Sequence, residues 1–111
     1  MDEKVVQTKS FEFALNIIRL YKKLQARQEF VLANELLRSG TQIGSSVEEA
    51  FAGPTQTSAL EIAVAAKAVR ATGYWLRLLQ ASRLADIDVS QELHQLEELR
   101  ILLEQFMAVP R

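Results

Sequence analysis

From Ala33 to Ala50 the positions Ala33, Leu36, Gly40, Ile43, Val47 and Ala50 recur at alternating spacings of three and four. That period is the seam of an α-helix packed in a bundle. Gly40 belongs to the seam, and Gly44 follows it by four residues. A glycine inside a helix costs roughly 1 kcal/mol relative to alanine, so retaining two of them implies that another element approaches the helix closely. Arg38, Gln42, Ser45 and Glu49 fall together on the opposite side, giving the helix a narrow polar face behind its apolar one. A chain containing such a helix must supply further helices to cover the seam.

The remaining sequence supplies three. Phe13, Ala14, Ile17, Leu20, Tyr21 and Leu24 form one stripe, widened by Phe11, Leu15 and Ile18; the spacing predicts a helix over residues 10–24, with Ser10 as N-cap and Lys22 and Lys23 near its C-terminus. The glycine-bearing helix is expected over 29–52, ended by Gly53-Pro54. Ser58-Ala59-Leu60-Glu61 has the form of a capping box and predicts a third helix over 58–84. Asp88 or Ser90 then caps a fourth over 90–107, marked by Leu93, Leu96, Leu99, Leu103 and Phe106. Short connections predict an all-α, antiparallel, up-down-up-down four-helix bundle, with residues 1–111 forming one domain. Helix three carries apolar residues at nearly every wheel angle, from Leu60 and Ile62 to Leu78 and Leu79. A helix apolar all round is buried on more than one side, which predicts a subunit interface.

Composition narrows the function classes. A net charge of −1 gives no general pull toward nucleic acid or anionic membrane, so such binding would have to be local. The absence of cysteine excludes disulfides and thiolate metal sites. The first nine residues, Met1 to Lys9, have no apolar core of signal-peptide type, and no run approaches the roughly 18 apolar residues of a membrane span. The expectation is a cytoplasmic protein.

If helices two and three form an antiparallel hairpin around residues 54–57, Gly44 falls near Ala65 and Ala66, and Gly40 near Val69 and Arg70. Small residues would then face small residues at the closest helix crossing. The stretches Leu37-Arg38-Ser39-Gly40-Thr41, Ile43-Gly44 and Val47-Glu48-Glu49-Ala50, followed by Lys67, Thr72 and Tyr74-Trp75-Leu76-Arg77-Leu78-Leu79, resemble the proteins encoded within intervening sequences of bacterial 23S ribosomal RNA genes, the S23 family. The resemblance implies a left-handed antiparallel four-helix bundle and a ring-shaped homopentamer, without an established activity. More basic relatives of this fold, accessory proteins of diversity-generating retroelements, engage nucleic acid and reverse transcriptase. The family pattern has two acids where this chain has Ala68 and Ala71, Asn where it has Ser46, and an aromatic near Ser58. Roles of those family acids therefore do not carry over, and helix three becomes more apolar.

Among candidate site residues, Glu48 and Glu49 are the first acids to consider as catalysts or metal ligands. Adjacent helical residues point about 100° apart, so the pair cannot by itself clasp one ion, and His94 lacks the partner a di-iron bundle requires. A structural role, in which these acids meet Arg38, Lys67 or a neighbouring subunit, suits the pattern better, and no metal or cofactor is expected. Lys67 has Leu60, Ala63, Val64, Ala71, Tyr74 and Leu78 as wheel neighbours; an ammonium there must pair or reach water. Tyr74 and Trp75 suit either packing or base stacking, and Arg70, Arg77 and Arg83 either solvation and salt bridges or a basic strip together with Arg38. Two readings follow: a non-enzymatic homo-oligomeric assembly protein, or an RNA-binding accessory module, with RNA or the ribosome as partner.

Overall fold

The computed structural model describes residues 3–107, apart from the side chains of Thr55 and Gln56. Four helices follow in order: α1 (Glu3–Ala26), α2 (Phe30–Ala52), α3 (Thr55–Ser82) and α4 (Ser90–Met107). Each packs on its chain neighbours and α4 closes on α1; of the diagonal pairs, α2 and α4 meet through the rings of Phe51 and Phe106, 5.2 Å apart. The result is the expected antiparallel up-down-up-down bundle, elongated to 47 × 20 × 18 Å. The α2–α3 and α1–α2 seams are the most extensive.

All six predicted seam residues of α2 are buried, and the polar set Arg38, Gln42, Ser45 and Glu49 is exposed. The core pairs this seam with Phe13, Ile17, Leu20 and Leu24 of α1, Leu76 and Leu79 of α3, and Leu96, Leu99 and Leu103 of α4. Across the α2–α3 seam the fully buried Thr72 places Oγ1 3.0 Å from Ser39 Oγ and 2.7 Å from the Ala68 carbonyl. The α1–α4 seam is more polar: the Asn16 amide donates to Gln95 Oε1 at 3.0 Å, and Lys9 pairs with Glu98 at 3.8 Å.

Two helix starts lie earlier than their cap signals suggest. α1 begins at Glu3, because the stripe extends back through Val6, which is fully buried. Ser10 is not an N-cap: it is buried within the helix, and its hydroxyl donates to the Gln7 carbonyl at 3.1 Å. α3 begins at Thr55 because Pro54, with φ −61° and ψ 142°, already sets the N-cap backbone, placing Ser58 and Glu61 inside the helix. α3 ends at Ser82, two residues early, where Arg83 takes the left-handed conformation at φ 53°. α4 runs over the predicted span, and Asp88 accepts the Ser90 amide at 3.0 Å.

Gly40 and Gly44 do serve a close approach, but to α1 and not to Ala65 and Ala66 of α3. A Cβ on Gly40 would lie 2.9 Å from both Cγ1 and Cγ2 of Ile17, and one on Gly44 would lie 3.4 Å from the Ser10 carbonyl oxygen. Helix rotation decides the matter: the α2 side facing α3 carries Ser39, bonded to Thr72, while the glycines lie on the other flank of the seam. Ser10 is thus a small residue against which the α2 backbone fits. Ala65 is fully buried within α3's own stripe and Ala66 is half-buried.

Candidate interaction surfaces

The outward side of α3 leaves a row of apolar side chains uncovered. Leu60 is 65% exposed, Tyr74 51% and Leu78 39%; Ala63 is exposed, and Val64 and Ala71 are half-buried. These positions recur at three and four residues and so form one stripe along about five turns. Lys67 lies at its middle, exposed and without an ion pair among the described residues. Of the two ion pairs expected for Lys67, within the chain or between subunits, the first is not formed among the described residues. Arg38, Ser39 and Gln42 of α2 complete a shallow groove with Val64, Lys67, Ala68 and Ala71, making its charged members both cationic.

A second stripe occupies α1. Phe11 is 64% exposed, and Leu15 and Ile18 are each 39% exposed. These three side chains do not widen the core stripe; they lie across the helix from Phe13, Ile17 and Leu20, all buried. The wheel contains this signal, since Phe11, Leu15 and Ile18 centre more than 100° away from the core positions. Phe11 flanks a groove between α1 and α2 with Ala14, Thr41, Gly44, Ser45 and Glu48. Glu48 is the charged member of that lining, and like Glu49 it is exposed and forms no intramolecular ion pair among the described residues.

The remaining candidates divide by position. Trp75 is half-buried against the core, and its ring meets Tyr74 edge-on at 5.1 Å. Arg70 and Arg77 are exposed on the α4 side of α3, where they line a groove with Arg100 and Glu97. Arg77 Nε donates to the Gly73 carbonyl at 3.2 Å, and Arg100 is held by both Glu97 and Glu104. That double pairing raises the Arg100 pKa, and its hydrogen bond holds Glu97 below the ordinary carboxylate range. Arg38 lies on the other flank of α3 from Arg70 and Arg77, so it does not join them in one strip. Among the described residues no three His, Asp or Glu side chains gather as a metal-binding group, and no helix is long and apolar enough to cross a membrane.

No curated protein matches the chain. Among solved structures, it is similar to a protein of unknown function from the S23 ribosomal protein family of Bacteroides thetaiotaomicron, with 33% identity over 98% of this chain and 100% of that one and a TM-score of 0.89. The profile of the 23S rRNA-intervening sequence proteins matches residues 2–105. With nearly the whole chain matched in sequence and in fold, this four-helix bundle belongs to the 23S rRNA-intervening sequence protein family.

Proposed function

We propose that the protein is a non-enzymatic, cytoplasmic assembly protein that works as a homo-oligomer, with the pentamer implied by the family resemblance as its stoichiometry. The observation that carries this reading is the exposed apolar stripe on α3 from Leu60 to Leu78. Apolar surface gathered in one contiguous patch marks a contact site more often than scattered exposed residues do. The lone Lys67 within it gains a partner only from outside the protomer. Leu60→Glu combined with Leu78→Glu tests the reading by sedimentation velocity. The wild type is expected to sediment as an oligomer at micromolar concentration and the variant as a folded monomer; a monomeric wild type refutes the proposal.

The alternative role, an RNA-binding accessory module, draws on one feature: Arg70, Arg77 and Arg100 border a common α3–α4 groove. Guanidinium groups so placed suit phosphate. Binding to a structured RNA that weakens steeply with salt is the expected result for that role, and no binding at low salt removes it.

A further inference from the structure

We infer that the groove between α2 and α3 bordered by Arg38 and Lys67 is a binding site for a phosphate dianion, free or as the head of a small phosphomonoester. The groove is formed within one protomer, so the site does not rest on the homo-oligomer reading.

The space amounts to about 350 Å³, with Val64, Ala68 and Ala71 as its short apolar members. Both charged members are cations, and they come from facing helices. Neither side chain has a hydrogen bond or an ion pair among the described residues. The nearest acids along the two helices, Glu35 and Glu49 on α2 and Glu61 on α3, lie outside the lining and form no ion pair among the described residues either. Arg70, one turn beyond Lys67, lines the adjoining α3–α4 groove and adds positive charge from that side.

The neutral polar members of the lining are already engaged. Ser39 Oγ lies 3.0 Å from Thr72 Oγ1 and donates to the Glu35 carbonyl at 2.9 Å, and the Gln42 amide donates to Ser46 Oγ at 2.7 Å. These bonds fix the α2 wall of the groove and leave the guanidinium and the ammonium as its unused donors.

Charge sets the ligand class. Two cations with no acid in the lining match a doubly charged group better than a single carboxylate. A guanidinium meets two phosphate oxygens at once through its planar fork, while an ammonium acts as a compact point charge. The apolar members keep water from part of the bound group, and a lower local dielectric strengthens both attractions. A net charge of −1 gives the whole molecule no general pull on a polyanion, so a small ligand suits this local pair of cations.

Inorganic phosphate is the probe, titrated just above neutral pH, where it carries its second charge, into isotope-labelled full-length protein, with chloride at matched ionic strength as control. Amide shifts should saturate with phosphate and centre on residues 38–42 and 64–71; chloride should give no saturating shift. Arg38→Gln and Lys67→Gln should each raise the Kd at least about tenfold, and Ala71→Glu, which adds a carboxylate to the groove, should abolish binding. Arg77→Gln, in the groove on the other flank of α3, should leave the Kd unchanged. All four substituted residues are exposed or half-buried, and the dispersion of the amide resonances verifies the fold of each variant. Glycerol phosphate titrated in parallel separates the two sources: tighter binding than inorganic phosphate identifies the ester, and equal or weaker binding the free anion. Failure of the wild type to saturate with phosphate overturns the site. So does a response that chloride reproduces, one that survives Arg38→Gln or Lys67→Gln, or one that Arg77→Gln weakens equally.

Discussion

Adding one methyl group at Gly40 and at Gly44 should move stability in opposite directions. In an exposed helix either change to alanine would stabilise by roughly 1 kcal/mol. At Gly40 the new Cβ would stand 2.9 Å from two carbons of Ile17, well inside van der Waals contact. Ile17 is fully buried, and its branched β-carbon holds one strongly preferred rotamer in a helix, so rotation brings no relief. Overpacking of this kind costs typically 1–3 kcal/mol, which exceeds the propensity gain and leaves Gly40→Ala destabilised by about 1 kcal/mol. At Gly44 the nearest atom to a new Cβ is the Ser10 carbonyl oxygen at 3.4 Å, an ordinary contact, so Gly44→Ala should stabilise by about 0.5 kcal/mol. Thermal unfolding at fixed protein concentration reads both changes; about 1 kcal/mol corresponds to roughly 4 °C for a domain of this size. Ile17→Ala supplies the control. Alone it should cost about 3 kcal/mol, but beside Gly40→Ala it removes both clashing carbons, so the two changes together should cost less than their sum by at least about 1 kcal/mol. Additive effects, or the same sign at both glycines, would refute the packing of α2 on α1 described above.

Other consequences follow from backbone and charge. Gln28 sits at φ 64° between α1 and α2, a conformation glycine adopts without penalty, so Gln28→Gly should raise stability by about 1 kcal/mol in denaturant unfolding. Gly53 should not tolerate a side chain, because a Cβ there would lie 2.8 Å from the Glu49 carbonyl oxygen to which its own amide donates; Gly53→Ala should lower stability by about 1–3 kcal/mol. Asp88 is held below its ordinary pKa chiefly by the Ser90 amide, and Glu97 by Arg100. Depressed carboxyl pKa values mean stabilisation present above the unfolded pKa, near 4, and lost as pH falls through the folded values. The melting temperature should therefore fall on acidification below about pH 4, less steeply in Asp88→Asn, Glu97→Gln; an unchanged slope would show these bonds to be without weight.

Periodicity made the bundle legible, since a seam such as Ala33 to Ala50 has only one way to be buried. Local signals were less faithful where tertiary packing reused the same residue types. Ser10 has the chemistry of an N-cap, yet its size is what the α1–α2 crossing uses, and Ser58-Glu61 has the form of a capping box in a helix that Pro54 has already started. Sequence proximity assigned the glycines to the α2–α3 hairpin, whereas their angular offset from Ser39 assigns them to α1. For the candidate surfaces, the surplus on α3 was visible as apolar residues at every angle. The α1 stripe was hidden among core residues until burial separated Phe11 from Phe13, and the opposite charges of the two α2 flanks emerged only with the grooves.

The measurement that bears most directly on the assembly role is native mass spectrometry of the protein taken straight from cell extract, which reports subunit number and retained RNA together. A species at five times the 12.5 kDa chain mass, free of nucleic acid, is the result expected of a homopentameric assembly protein. A 12.5 kDa monomer under the same conditions would contradict it.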